Sequence, residues 1–469
     1  MGRKRMLYGG IALVAVLGLV LAAAAGYGQM PSIDQQIANR ADLTVRIISP
    51  PSDSRYPADA AIPLILVAQG GHDIAALEYW VDGNMLQSKP PGEGNSPVYV
   101  VQTWRWMPQV ERFYRWHKSA EALLRDRQPM ARVGLVYSQQ TAHYYGGAET
   151  REHVAAAING MYQALVEARI PFEIVHERFL DRAHLDRYKL LILPNTAALS
   201  DRQCGQLREF VQSGGSLLAT YETSLYDEWG IRRKNFGLAD LFGIRYRAND
   251  GPMKNSYARI ESAGGVRHPV VAGFDGAERI VNSVYRVDVE AVTAPAVVPL
   301  TLIPPYPDLP MEQLFPRVAR TDIPLVYLRE FGKGRVVYFP GDFDRTFWEF
   351  LLEDHGRLLK NAALWAANEE QPVTVTGPGL LDVTVWSQQE SMTVHIVNLS
   401  NPMAMRGYFR EFLPVGPLHL EIRLPDGRKA KQVKFLVGSA SPDVKEVRGT
   451  LVLTVPSVLQ HEVVAVDFD

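Results

Sequence analysis

Apolar and polar residues alternate with period two through Leu43-Thr44-Val45-Arg46-Ile47, and Pro50-Pro51 ends the run. That is the pattern of a half-buried strand. A second apolar run, 62–68, stops before Gly70-Gly71. Leu77-Glu78-Tyr79-Trp80-Val81 runs into Asp82-Gly83, a hairpin signal, and 98–104 supplies a last strand. The spacing then lengthens. Val110, Phe113, Tyr114, His117, Ala120 and Leu124 fall near one face of a helix, predicting a connector over 109–127.

At Arg132 alternation gives way to continuous apolar runs at 133–137, 172–175, 190–194 and 216–221. Helical stretches separate them, at about 149–168 and 200–212. Ser200 with Gln203 predicts a capping box, and Gly214-Gly215 a helix stop. Runs 325–328 and 335–339 flank Gly332-Lys333-Gly334 as a hairpin, and a helix over 347–366 closes the unit. Strands apolar on both faces that alternate with helices predict a doubly wound α/β domain. After Glu369-Glu370 the period returns to two, in 381–386, 392–397, 418–424, 433–437, 451–455 and 463–468. These predict an antiparallel β-sandwich. The expected fold class is multidomain: a β-sandwich-like segment (42–106), a helical connector (107–130), a central α/β domain (131–368) and a C-terminal β-sandwich (372–469).

The first 28 residues read as an address. Arg3, Lys4 and Arg5 precede an apolar run from Ile11 to Ala25, closed by small residues. This is the pattern of a secretory signal; an uncleaved membrane anchor is the alternative. Either places the remainder outside the cytoplasm, periplasmic or extracellular, with the membrane touched only through this segment. The 49 Lys and Arg are balanced by 51 Asp and Glu, which argues against a nucleic-acid partner. Cys204 is the one cysteine, so intrachain disulfides and multi-cysteine metal sites are excluded.

The phrases VRIISP and ALEYWVDGNML resemble bacterial immunoglobulin-like domains. RVGLVYSQQTAHYYGG, GMYQALVEARIPFEIVHE, YKLLILPNTAALSDRQ, FVQSGGSLLATYETSLYDEWG and GKGRVVYFPGDFDRTFW resemble the class I glutamine amidotransferase-like fold. Within it they look like the trimerisation domain of β-galactosidases. The resemblance covers about 132–367 and implies a homo-oligomer, a trimer being one form it allows. Two departures limit it. Those enzymes carry their catalytic carboxylates on a preceding (β/α)₈ barrel of about 200 residues or more, and only about 25 residues separate the first β segment from the α/β domain here. The amidotransferase nucleophile is a Cys at a sharp turn after a strand. Tyr221 stands at the matching position, and Phe339-Pro340-Gly341-Asp342 replaces His-Pro-Glu.

In doubly wound sheets ligands sit at the carboxyl ends of the strands. Those ends carry Gln139, Gln140, His143, Tyr144 and Tyr145, then Asn195, then Tyr221, Glu222 and Asp227, and finally Asp342 and Asp344. Aromatic, amide and carboxylate groups suit a hydroxyl-rich ligand; a polar rim packed on another domain or subunit is the bland alternative. Glu222 with Asp342 or Asp344 is the candidate carboxylate pair for glycoside hydrolysis. His143, His153 and His176 match no metal spacing, and GxGxxG and Walker patterns are missing, so neither a metal nor a cofactor is expected. The leading expectation is an exported, carbohydrate-associated accessory or oligomerisation protein related to glycoside hydrolases, without catalysis of its own. A glycoside hydrolase using the strand-end carboxylates, a cell-envelope scaffold and a truncated descendant of a barrel-containing enzyme are the alternatives.

Overall fold

The computed structural model describes the backbone of five strands within 43–102, together with residues 107–400 and 412–469. The expected signal or anchor lies outside the described residues. The chain divides into two compact units, Met1–Glu121 and Ala122–Asp469. In the first, Leu43–Ser49, Pro63–Gly70 and Val98–Gln102 form an antiparallel three-stranded sheet. Leu77–Val81 pairs antiparallel with Asn84–Lys89. The division between units falls inside the helix Met107–Leu124.

The second unit is built on a six-stranded sheet. Its strands are β1 (Val133–Tyr137), β2 (Phe172–His176), β3 (Leu190–Leu193), β4 (Ser216–Thr220), β5 (Tyr327–Phe331) and β6 (Gly334–Phe339). Their spatial order is β5-β6-β4-β3-β1-β2, parallel except for β5 against β6. The helices are α1 (Ala156–Glu167), α2 (Asp201–Ser213), α3 (Phe343–Phe350) and α4 (Glu353–Ala367). Strand residues alternate between two cores. Leu135, Ile192, Leu218 and Phe339 pack with α1 and α4 on one face. Val136, Leu193, Ala219 and Tyr338 pack with α2 on the other. Burial on both faces is why these strands are apolar throughout.

Three elements depart from the sequence reading. The helix expected from residue 149 begins earlier, in wide π turns at Thr141–Gly146 and Arg151–Ala155 joined by the 3₁₀ turn Gly147–Glu149. The helix expected over 347–366 is two helices, because Leu351 adopts φ 51° and ends the first. Gln128–Pro129, expected in the connector, pairs with Ser387 and Trp386 as the outer strand of a C-terminal sheet. The stretch between β4 and β5 also forms small antiparallel sheets, Ile244–Asp250 with Arg286–Ala291 and Tyr257–Ile260 between Arg279–Val281 and Leu300–Ile303.

Eight strands within 373–468, with Gln128–Pro129 as a ninth, form a four-stranded and a five-stranded antiparallel sheet around one apolar core. The Arg169 guanidinium, just after α1, joins the α/β domain to this sandwich. It donates to the carbonyls of Val375 (3.0 Å), Gly377 (2.7 Å), Pro378 (3.2 Å) and Gly379 (2.8 Å).

Candidate functional site

Strand β4 ends and the chain turns sharply at Tyr221, whose φ is 50°. Its N–H donates to the Phe339 carbonyl (2.8 Å), and the buried Tyr338 hydroxyl donates to its carbonyl (2.7 Å). Asn195 (φ 39°), after β3, and Ser224 (φ 68°) are also left-handed. Such backbone costs about 1–3 kcal/mol each where glycine is absent and gathers at functional sites. The elbow that would present a nucleophile is therefore built, but it presents a phenol. Burial and the Glu222 charge raise the Tyr221 hydroxyl above its ordinary value, so it stays protonated.

Glu222 is buried at the centre of the cluster. Its Oε2 accepts from the Tyr145 hydroxyl (2.5 Å) and its Oε1 from Asn249 Nδ2 (2.6 Å). Tyr226 lies beside Glu222, and its ring meets that of Tyr145 edge-on at 4.9 Å. Burial, then Glu222, raises the Tyr145 hydroxyl well above its usual range and that of Tyr226 to about 12, so both stay protonated. Asn195 Nδ2 reaches the His153 carbonyl (2.9 Å) and the Tyr145 hydroxyl (3.4 Å). Its buried Oδ1 has no protein partner.

The other two candidate carboxylates are also engaged. Asp342 is 2% exposed; it pairs with Arg345 and accepts from the Tyr285 N–H (2.8 Å) and Thr346 Oγ1 (3.1 Å). Asp344 is 0% exposed and accepts from Thr220 Oγ1 (2.7 Å) and the Arg345 N–H (2.9 Å). Burial raises Asp342 to about 6 and Asp344 to about 7. Both lie inside the protein, where the hydrolase reading called for carboxylates facing across an open cleft.

The remaining expected residues divide by role. Gln140 Nε2 donates to the Ala198 carbonyl and Gln203 Oε1, both at 2.8 Å, and its N–H, like that of Gln139, meets the buried Glu177 carboxylate. These are loop-building contacts. Asp227 Oδ1 accepts from the Trp229 and Ile231 N–H groups. His143 and Tyr144 face solvent. Cys204 is on the buried face of α2, and burial pushes its thiol up to about 11, which disfavours a thiolate. Among the described residues no three His, Cys, Asp or Glu side chains gather closely enough to hold a metal ion.

Sequence reasoning missed Tyr226, Trp229, Asn249, Tyr285 and Arg345. Arg345 was legible as the i+3 partner of Asp342. Asn249 and Tyr285 lie in the stretch between β4 and β5, where no motif marks them. A cleft of about 580 Å³, lined by Arg132, Lys189, Arg208, Phe210, Gly215 and Phe331, lies at the amino ends of the strands. Its cations are held by Glu369, the Gly214 carbonyl and Asp240, and ligands of such sheets bind at the opposite end.

Residues 135–366 match the family model described as ThuA, trehalose utilisation. This region is a ThuA domain of class I glutamine amidotransferase-like fold. Among solved structures, the chain is similar to α-L-fucosidase isoenzyme 2 from Paenibacillus thiaminolyticus. The identity is 18% and the TM-score 0.58, over 78% of this chain and 53% of that one. It is similar to Gan42B, a GH42 β-galactosidase from G. stearothermophilus, at 18% identity and TM-score 0.51, over 78% and 44% of the two chains. The β-galactosidase from Bacillus circulans sp. alkalophilus gives 12%, 0.50, 78% and 45%. The chain thus spans about half the length of the structures it matches, and these likenesses are ones of fold.

Proposed function

We propose that this ThuA-domain protein is an exported, carbohydrate-associated accessory or assembly protein, which binds sugar at the carboxyl ends of its α/β strands and does not hydrolyse it. One observation carries the reading: the strand-end carboxylates are already spent. Glu222 is held by Tyr145 and Asn249, Asp342 by Arg345, and Asp344 by Thr220. The elbow offers a protonated phenol in place of a thiolate, and amide and phenol groups crowd the same rim, as a hydroxyl-rich ligand requires. The family description and the glycosidase titles of the similar structures support carbohydrate as the ligand class.

The test is a glycan-array binding and hydrolysis screen on the purified chain and its Glu222→Gln variant. Binding without turnover is the expected result. Turnover by the wild type that disappears in Glu222→Gln would overturn the accessory reading and make Glu222 an acid or base. Export rests on Arg3, Lys4, Arg5 and the apolar run after them; cell fractionation that leaves the chain in the cytoplasm would remove that part.

A second reading, assembly as a homo-oligomer such as a trimer, is favoured by exposed Leu309, Met311, Phe315 and Val318 in one loop. Light scattering at three times the chain's 52.3 kDa is its expected outcome.

A further inference from the structure

Beside the Glu222 cluster the chain builds an exposed aromatic corner. Tyr226 and Arg232 bridge as antiparallel residues, and the turn between them carries Trp229 near its tip. Asp227 fixes that turn. Its Oδ1 accepts from the N–H groups of Trp229 (3.0 Å) and Ile231 (2.8 Å), and its own N–H donates to the Ile231 carbonyl (2.9 Å). Gly230, at φ 76°, comes so close to the facing loop that a Cβ there would stand 2.3 Å from the Tyr144 carbonyl oxygen. The Trp229 ring is 64% exposed and meets Tyr144, 52% exposed, at 5.5 Å and 64°. Two large rings held in water by a rigid turn form a contact surface, because nothing in the fold needs them there.

We propose that Trp229 and Tyr144 form a stacking subsite for a single neutral pyranose ring, which extends the sugar-binding reading above and rests on it. The C–H face of a pyranose packs on an indole, and a second ring at 64° closes one side. That makes a corner for one sugar unit instead of a flat track for a chain. The corner is continuous with the buried cluster. Tyr145 follows Tyr144 in the chain and hydrogen-bonds Glu222, and Tyr226, which opens the Trp229 turn, packs its ring on Tyr145. A ring seated on Trp229 would therefore lie next to the loop and turn that carry Tyr145 and Tyr226. Asp227 and Glu228 flank Trp229 in the turn, while the cations that close it are engaged elsewhere, Arg232 over the Tyr246 ring and Arg233 with Asp201, so the charge nearest the indole disfavours uronates and sulfated sugars.

The test is calorimetric titration of the full chain with methyl β-galactoside, methyl α-fucoside, trehalose and glucuronate. Wild type, Trp229→Phe and Trp229→Ala are compared. Because the indole is mostly exposed, Trp229→Ala is expected to keep the wild-type melting temperature. The expected result is that at least one neutral probe binds, that its Kd rises about tenfold or more in Trp229→Ala, about 1.4 kcal/mol, and that Trp229→Phe keeps most of the affinity. Glucuronate is expected not to bind. Neutral-sugar binding that is unchanged in Trp229→Ala would overturn the subsite and leave the sugar-binding reading standing. Tighter binding of glucuronate would overturn the neutral-sugar assignment. No binding of any probe to the wild type would overturn both. A change of oligomeric mass in Trp229→Ala, with sugar binding intact, would assign the corner to a protein interface and overturn the proposal.

Discussion

Replacing Asp344 by Asn tests whether this carboxyl is a structural element that titrates with the fold. Asp344 is fully buried, and burial, opposed by its two hydrogen bonds, raises it from 3.8 to about 7. Its folded value lies above its unfolded one, so between about pH 4 and 7 the folded state keeps a proton that the unfolded chain has released. Stability from this group is fullest below that window and falls as pH rises through it. With each tenfold change in proton affinity worth 1.36 kcal/mol, the wild type loses about 2.5 kcal/mol through Asp344 between pH 5 and pH 8. Asp344→Asn cannot titrate. Its amide oxygen still accepts from the Arg345 N–H, but its Nδ2 meets Thr220 Oγ1 as a donor where the carboxylate accepted, at a cost of about 1 kcal/mol. The variant is therefore the less stable protein at pH 5 and gains on the wild type by about 2.5 kcal/mol by pH 8. Asp342, raised to about 6, is present in both proteins, and its charge is one cause of the Asp344 shift, so the gap between the two proteins includes that coupling. Cys204 supplies the assay: it is the one cysteine and lies buried in this domain. Its labelling in urea by a pyridyl disulfide, which reacts at acid pH, follows unfolding of the α/β domain alone. A stability gap between the two proteins that stays constant from pH 5 to pH 8 would refute the reasoning.

Four further outcomes follow from the same contacts. Native Cys204 is expected to resist thiol reagents at neutral pH, and prompt stoichiometric labelling without denaturant would show that the domain opens there. Tyr145→Phe leaves the buried Glu222 short of a donor and is expected to cost about 1–3 kcal/mol by urea denaturation; an unchanged midpoint would show that Glu222 does not depend on the bond. Arg169→Ala removes donors to four carbonyls of the sandwich and is expected to split one calorimetric transition into two, so a single unshifted peak would count against the clamp. Gly160→Ala would set a Cβ 1.8 Å from the Asp344 carbonyl oxygen and force α1 from α3. A loss of about 2 kcal/mol or more is expected by thermal melting, and a neutral result would show that the two helices yield.

The parallel strands were legible because burial on both faces leaves an unbroken apolar run, and the Ser200–Gln203 capping box because it is a local exchange of bonds. The break at Leu351 was not. A leucine at positive φ carries no local signal, and tertiary packing sets it. The pairing of Gln128–Pro129 was hidden because its partner lies on the far side of the whole α/β domain in sequence. At the site, the rule that ligands meet the carboxyl ends of strands brought Tyr145, Asn195, Tyr221 and Glu222 together correctly as neighbours. It could not tell a carboxylate open to solvent from Asp342 and Asp344, whose surroundings depend on Arg345, Tyr285 and Thr220.

Gln128–Pro129 has a practical consequence for anyone dissecting this chain. With Met130 it covers the outer side of the last residues of Leu381–Ser387, from Val385 on, which would otherwise present open backbone groups. Arg127 reinforces the cover, with its guanidinium 4.3 Å from the centre of the Trp386 ring and within hydrogen-bond reach of His395 at 3.1 Å. A fragment cut to begin at residue 131, the border that composition suggests, would strip this strand away and expose an adhesive edge able to recruit other chains. Expression boundaries drawn upstream of Arg127 should yield soluble material where those drawn at 131 yield aggregates.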